Sequence, residues 1–162
     1  MPLGKSEREA YLTRYGSGPA LLRTAWSEVP PEARQWRPGT GKWSAHEIIV
    51  HSADSETYGA TRIRLLLAEK EPLIVGYDEN EWARVFDYHS HDVELAFRTI
   101  ETVRANTATL LRRLPDEAWD RAGRHSHSGP YTDKDWLRIY AEHLEVHARQ
   151  IRRNIEAWQA RR

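Results

Sequence analysis

Apolar residues recur every three or four positions in four segments of the chain, which is the spacing of amphipathic α-helices. The segments run from about residue 6 to 28, 44 to 69, 91 to 114 and 132 to 160. A Gly-Ser-Gly-Pro stretch at 16–19 predicts a break or bend in the first helix, and Pro30 and Pro31 predict its end. No strand-like alternation competes with these helices. The pattern predicts an all-α four-helix bundle, formed by one domain over residues 1–162.

The second and fourth segments have well-defined buried stripes. The second opens at Ser44, with Glu47 three residues later, which is the spacing of a capping box. Its stripe comprises Ala45, Ile48, Ile49, Ser52, Gly59, Ile63, Leu66 and Leu67. The stripe of the fourth segment comprises Trp136, Tyr140, His143, Leu144, His147, Ile151, Ile155 and Trp158. Two histidines therefore lie within a predicted core face.

Composition narrows the classes of function. The 24 basic residues balance 24 acidic ones, and a neutral chain argues against binding nucleic acid, which requires a basic surface. Cysteine is absent, so any metal must be held by histidine or carboxylate. No apolar run is long enough to span a membrane, and none forms a signal peptide. We therefore expect a cytoplasmic protein that contacts neither membrane nor nucleic acid.

His143 and His147 form an H-x-x-x-H motif on the fourth helix. Four residues advance a helix by slightly more than one turn, so both imidazoles leave the same face and can converge on one ion. The structural alternative is a pair of core histidines satisfied by hydrogen bonds. Two inward histidines at ligand spacing favour the metal, because each neutral ring requires partners when it is buried.

A third ligand has to come from another helix, as in metal sites inside other bundles. The second helix offers His46 and His51, which lie towards opposite edges of its apolar stripe. Periodicity does not choose between them. His46 belongs to the first turn, where exposure to solvent is expected, whereas His51 lies deeper in the helix. Depth therefore favours His51 modestly.

Three stretches of the sequence resemble the DinB superfamily, and its YfiT-like branch of metal-dependent hydrolases in particular. They are WSAHEIIVHSADSE at 43–56, HLEVHARQI at 143–151 and GYDENEW at 76–82, and the resemblance covers about residues 19–155. It implies a four-helix bundle whose metal ligands fall on His51, His143 and His147. His46 does not match a ligand position of the family.

Three neutral histidines leave coordination positions open, which is typical of catalytic rather than structural metal sites. Zinc and nickel both accept imidazole, so either is expected. Four polar residues within one turn of the ligands are candidates to orient a ring: Glu47, Ser55, Tyr140 and Gln150. The loops at 70–90 and 115–131 are long enough to cover a site.

Asp78 is the candidate general base, with Glu79 beside it as an alternative carboxylate in the first of these loops. Acidic loop residues are more often merely solvated. We interpret the four remaining histidines as loop residues: His89, His91, His125 and His127.

The resemblance implies either hydrolysis of a small-molecule substrate by metal-activated water or metal-dependent transfer of a low-molecular-weight thiol. Nothing in the sequence defines a thiol subsite, so the hydrolase is the leading hypothesis and the thiol S-transferase is the alternative. A non-catalytic metal or small-molecule binding protein is the third hypothesis. Relatives that pair as dimers make a homodimer an expectation.

Overall fold

The structure is a computed structural model that describes residues 3–161. Its helices are α1 Lys5–Ser27, α2 Ala45–Ala68, α3 Glu79–Val85, α4 Val93–Arg112 and α5 Asp133–Ala160, and its strands are β1 Leu73–Ile74, β2 Ala122–His125 and β3 Gly129–Thr132. The four long helices, α1, α2, α4 and α5, form a bundle in which α1 and α2 each pack against both α4 and α5. The predicted four-helix bundle is confirmed. None of the described helices is both long and apolar enough to cross a membrane.

Capping residues begin α2 and α5 where the sequence changes to helical spacing. The Ser44 hydroxyl accepts from the Glu47 amide, while the Glu47 carboxylate accepts from the Ser44 amide, so the predicted capping box is confirmed. Thr132 and Asp135 form a second capping box at the start of α5. These caps satisfy amide groups that would otherwise lack partners in the first turn.

The predicted break at 16–19 is wrong, because α1 continues through this stretch. Pro19 has no amide hydrogen to give to the Tyr15 carbonyl four residues earlier. Arg104 of α4 donates to that carbonyl instead. Gly18 leaves room for the guanidinium, since a Cβ at this position would overlap it. The glycine and proline therefore mark the position where the Arg104 side chain contacts α1, not a break in the helix.

A small three-stranded sheet was not predicted from the hydrophobic pattern. β1 pairs in parallel with β2, with Leu73 opposite Arg124, and β2 pairs antiparallel with β3, with Gly123 opposite Tyr131. Strands of two and four residues are too short to show alternation, and the hairpin contains glycine and proline. Gly123 is required at this position because a Cβ would overlap the Pro72 carbonyl in the neighbouring segment.

The two long loops are therefore largely structured. Residues 70–90 contain β1, α3 and a 3₁₀ turn at Tyr88–Ser90, and residues 115–131 contain the β2–β3 hairpin. Asp78 caps α3 by accepting from the Glu81 amide at 3.0 Å. The segment between β1 and α3 lies against α2, where the Tyr77 ring packs 5.2 Å from that of Tyr58.

Gly59 and Gly16 provide a matched test of packing in the bundle. A Cβ at Gly59 would overlap the ring of Tyr140 on α5, whereas a Cβ at Gly16 would make an ordinary contact with Arg112. We expect Gly59→Ala to lower the free energy of unfolding by about 1–3 kcal/mol, because the overlap outweighs the gain in helix propensity. Gly16→Ala should raise it by up to about 1 kcal/mol. Urea unfolding of both variants measures the difference, and equal effects would contradict this packing.

Candidate metal centre

Three histidines from two helices converge between α2 and α5. One ring nitrogen from each of His51, His143 and His147 lies within 4.8 Å of the other two. The His51 ring centroid is 5.7 Å from that of His143 and 5.0 Å from that of His147. His51 is 1% exposed and His147 is 9% exposed. This is the spacing and burial of side chains that could share one metal ion.

His143 is oriented by a carboxylate on α2. Its Nδ1 lies 2.7 Å from Glu56 Oε1. Burial alone would raise the pKa of Glu56, but the charge of Arg104 and the contact with His143 hold it below the ordinary value. An ionised carboxylate can only accept, so Nδ1 of His143 carries a hydrogen and Nε2 is the nitrogen that remains for a ligand.

Glu56 depends in turn on Arg104. The guanidinium donates to Glu56 Oε1 at 2.7 Å and to the Tyr140 carbonyl of α5 at 2.7 Å. Both side chains are almost fully buried, at 0% exposed for Glu56 and 1% for Arg104. A buried carboxylate without such a partner would be protonated at neutral pH.

His147 completes a pair of facing imidazoles. Its Nδ1 lies 3.0 Å from Gln150 Oε1, an acceptor, so this nitrogen also carries its hydrogen. The two Nε2 atoms of His143 and His147 are 3.0 Å apart. The two rings therefore face each other through their Nε2 atoms, at a distance at which these nitrogens either share one hydrogen or both bind a cation.

His51 approaches from the opposite side. The Trp43 ring packs against it with the centroids 4.5 Å apart. Nδ1 of His51 is buried and has no hydrogen-bond partner among the described residues. A buried imidazole nitrogen without a partner is costly, and metal coordination is one way to satisfy it.

The pKa values of two of these histidines favour the neutral form that binds metals. Burial, followed by the charge of His143, lowers the pKa of His147 to about 3. Burial also lowers the pKa of His51 well below its ordinary value, and the neighbouring histidines lower it further. Both rings are therefore neutral at physiological pH and can donate a lone pair.

The rival histidine, His46, lies outside this cluster. Its Nε2 is 3.0 Å from the His91 carbonyl, and its ring centroid is 5.7 Å from that of His89. His89 Nε2 lies 2.8 Å from the Ser44 hydroxyl at the start of α2. These side chains tie the 3₁₀ turn after α3 to the first turn of α2. Of the two histidines that periodicity left open, His51 is therefore the one that lies beside His143 and His147.

The four candidates for orienting a ring have different roles. Gln150 is the one that bonds a cluster histidine directly. Glu47 forms an ion pair with Arg37. The Tyr140 ring lies 5.6 Å from the His143 ring, and Ser55 lies one turn beyond His51.

Sequence reasoning did not identify Glu56 and Arg104 as part of the site, although a signal was present. Glu56 falls between Ser52 and Gly59 at helical spacing, inside the predicted stripe of α2. Arg104 falls in the same way between Ile100 and Thr107 in α4. One acid and one base at core positions of two helices indicate a buried ion pair.

The two candidate carboxylates lie at the start of α3. Asp78 is exposed, and its carboxylate accepts the capping hydrogen bond. Much of Glu79 is exposed as well, yet partial burial of its carboxylate raises its pKa, while the charges of His143 and Arg62 act in the opposite direction. Of these two carboxylates, Glu79 is therefore the one that interacts electrostatically with His143.

His125 and His127 lie in and beside the β2–β3 hairpin, away from the cluster. His125 Nδ1 accepts from the His127 and Ser128 amides in the turn. His127 packs over Gly76, where a Cβ would overlap its ring. The expectation that these are loop residues holds for His127, whereas His125 ends β2.

The fold and the cluster define a class: a helical bundle with three histidines able to hold a divalent metal. The chain belongs to the DinB superfamily, whose family model matches residues 15–151. A protein of Oceanobacillus iheyensis, named provisionally as a metal-dependent hydrolase, is 31% identical over 133 residues, covering 82% of this chain and 77% of that protein. The similarly named YfiT of Bacillus subtilis is 26% identical over 151 residues, 92% of this chain and 84% of that protein. The predicted YfiT-like resemblance is confirmed.

Solved structures share the architecture. The structure of Bacillus subtilis YfiT, described as having an unusual four-helix bundle topology, superposes with a TM-score of 0.87 at 24% identity over 94% of this chain and 87% of that one. A mycothiol-dependent maleylpyruvate isomerase superposes with a TM-score of 0.69 at 14% identity, over 87% of this chain and 59% of that one. At these identities the similarity concerns the fold.

The Arg104–Glu56 pair leads to a prediction about stability. Glu56→Gln leaves a buried guanidinium without its countercharge, and we expect the free energy of unfolding to fall by about 3 kcal/mol or more. Adding Arg104→Met should recover part of this loss. Glu28→Gln is the control, because it breaks an exposed ion pair with Arg152 and should cost less than about 1 kcal/mol. Denaturant unfolding that gives the same small cost for Glu56→Gln and Glu28→Gln would contradict the role of the pair.

The buried histidines predict how the stability of the metal-free protein depends on pH. Below pH 6.5 a histidine of the unfolded chain binds a proton, whereas folded His147 stays neutral until about pH 3. Stability should therefore fall as the pH drops through this interval, by about 1.4 kcal/mol per pH unit for such a group. Unfolding curves from pH 7 to 4 measure the slope. His147→Leu should reduce the slope by about 1.4 kcal/mol per pH unit, the contribution of one such group, and an unchanged slope would contradict the depressed pKa of His147.

Proposed function

We propose that this chain is a metal-dependent hydrolase whose divalent metal is held by His51, His143 and His147. The observation that carries the proposal is the arrangement of the His143 and His147 rings. Their Nδ1 atoms are occupied by Glu56 and Gln150, and their Nε2 atoms face each other at 3.0 Å. The provisional names of the relatives, as metal-dependent hydrolases, support the same class.

The donor set fits a divalent metal of intermediate softness. Three imidazoles without thiolate suit zinc or nickel. Glu56 fixes the tautomer of His143, as carboxylates do for histidine ligands in metal sites, and Gln150 does the same for His147. Bound there, the metal supplies Lewis acidity that polarises a carbonyl or acidifies a water molecule.

Glu79, rather than Asp78, is the carboxylate we propose as the general base. Its carboxylate interacts with His143, and its raised pKa makes it a better proton acceptor than an ordinary glutamate. It would take the proton of the attacking water and return it to the leaving group. Asp78 instead holds the first turn of α3, which positions Glu79.

Thiol transfer is the second candidate. The observation that favours it is the shared fold with the mycothiol-dependent maleylpyruvate isomerase, whose reaction requires a low-molecular-weight thiol. The same three histidines would serve either reaction. The two differ in whether turnover requires an added thiol, which makes them separable by assay.

Metal analysis and activity assays of the purified protein test the proposal. We expect one zinc or nickel per chain by elemental analysis, and at least about tenfold weaker metal binding for His147→Ala than for His46→Ala. Zinc- or nickel-loaded protein should hydrolyse members of a panel of ester and amide substrates without added thiol.

Each result identifies one of the candidate functions. Turnover only with an added thiol would replace the hydrolase with the thiol S-transferase, and stoichiometric metal without turnover would indicate a binding protein. On any ester or amide that the metal-loaded protein hydrolyses, Glu79→Gln should lower kcat by about 10²-fold or more. Asp78→Asn should have a much smaller effect, and the reverse order would restore Asp78 as the base.

A further inference from the structure

Arg62 lies on the same face of α2 as His51, three helical turns further along. Steps of 4, 7 and 11 residues from His51 lead to Ser55, Tyr58 and Arg62, and each returns to the same side of a helix. Arg62 Nη1 donates to the Tyr140 hydroxyl at 3.4 Å. Because the Tyr140 ring also contacts His143, one side chain connects this guanidinium to the three histidines.

The charge of Arg62 has no carboxylate partner within 4.0 Å among residues 3–161. The two buried arginines, by contrast, are each paired: Arg8 with Asp116 and Arg104 with Glu56. Arg62 donates to two neutral oxygens, the Tyr140 hydroxyl and the Val75 carbonyl. Its Nε is buried and has no partner. A half-buried guanidinium therefore retains unused hydrogen-bond donors beside the site.

Aromatic rings hold this guanidinium in place. Its carbon lies 4.6 Å from the ring centroid of Tyr58 and 5.8 Å from that of Tyr77. The Tyr77 ring in turn packs on Trp82 of α3, 4.3 Å away. The Tyr77 hydroxyl is buried, and the Ser55 hydroxyl interacts with it. O–H and N–H donors and aromatic rings thus lie side by side around Arg62.

We propose that Arg62, together with the hydroxyls of Tyr77 and Ser55, binds a carboxylate of the substrate while the bond to be cleaved lies at the three histidines. A planar guanidinium matches carboxylate geometry, and the surrounding rings shield the pair from water. This inference rests on the proposed hydrolase function and specifies its substrates: small molecules with a carboxylate at one end and a cleavable acyl group at the other.

The negative charge of Glu79 opposes the binding of a carboxylate at Arg62, since this charge interacts with both Arg62 and His143. Glu79 forms no ion pair with Arg62 within 4.0 Å. Removing its charge should therefore strengthen carboxylate binding even though it removes the proposed base. Tighter carboxylate binding in Glu79→Gln would therefore report on the subsite independently of catalysis.

Dicarboxylates of increasing length test whether one ligand reaches both Arg62 and the three histidines. Cobalt(II)-loaded protein would be titrated with malonate, succinate, glutarate and adipate, each compared with the monocarboxylate of the same carbon number. Visible absorption of the cobalt reports binding at the histidines. We expect at least one diacid to bind about tenfold more tightly than its monoacid, the gain of one charged hydrogen-bonded contact.

Matched variants locate this gain. Arg62→Met should abolish it, Arg62→Lys should retain part of it, and Glu79→Gln should increase it. Arg64→Met is the control: Arg64 lies on the same helix and also has no carboxylate partner, but it donates to Asn106 and Thr107 of α4. Circular dichroism and unfolding curves establish that each variant is folded.

A metal-free readout keeps the subsite separate from the metal centre. In metal-free protein, the Nε–H NMR signal of Arg62, assigned by its loss in Arg62→Lys, should shift on addition of glutarate. A shift without cobalt binding would refute the proposed hydrolase and leave the carboxylate subsite standing. An unmoved Arg62 signal, or equal affinities for diacids and monoacids with and without Arg62, would overturn the subsite and leave Arg62 as a packing residue.

Discussion

A guanidinium in the core of a small bundle needs a countercharge and hydrogen-bond acceptors, because an unpaired buried charge costs several kcal/mol. Arg104 finds them on the other three long helices through its two Nη atoms, while its Nε is buried without a partner among the described residues. It extends from α4, donates to the Tyr15 carbonyl of α1 and the Tyr140 carbonyl of α5, and pairs with Glu56 of α2. These acceptors come together where the four helices pack against one another.

This constraint reaches the candidate site through Glu56. The carboxylate that balances Arg104 also fixes the hydrogen on Nδ1 of His143, so Nε2 is the nitrogen that faces His147. The bundle core and the histidine cluster are therefore one network, not a scaffold with an added site. The stability of the fold and the orientation of a proposed ligand depend on the same two buried charges.

The sequence was sufficient for what local spacing determines. The apolar stripes predicted the four long helices, Ser44 and Glu47 predicted a capping box, and the motif of His143 and His147 predicted two rings on one face. The partner on α2 was different, since helical spacing accommodates His46 as well as His51. Only the tertiary packing brings His51 to the pair, and the family resemblance anticipated this choice.

The features that local spacing could not predict depend on contacts between distant segments. The glycine and proline of α1 resembled a break or bend because nothing nearby shows that Arg104, 85 residues after Pro19, donates to the free Tyr15 carbonyl. The three-stranded sheet has strands too short for a periodic signal, and its β1–β2 pairing joins segments about 50 residues apart. Glu56 and Arg104 were visible as charges inside apolar stripes, but their pairing requires the packed bundle.

The most direct measurement of the central claim is anomalous X-ray diffraction, at the zinc or nickel absorption edge, from crystals grown with that metal. The account predicts one strong anomalous peak bonded to nitrogens of all three rings, with Nε2 of His143 and His147 facing the ion and Glu56 still on Nδ1 of His143. The absence of a peak at this position, or a peak held by His125 and His127 alone, would contradict it.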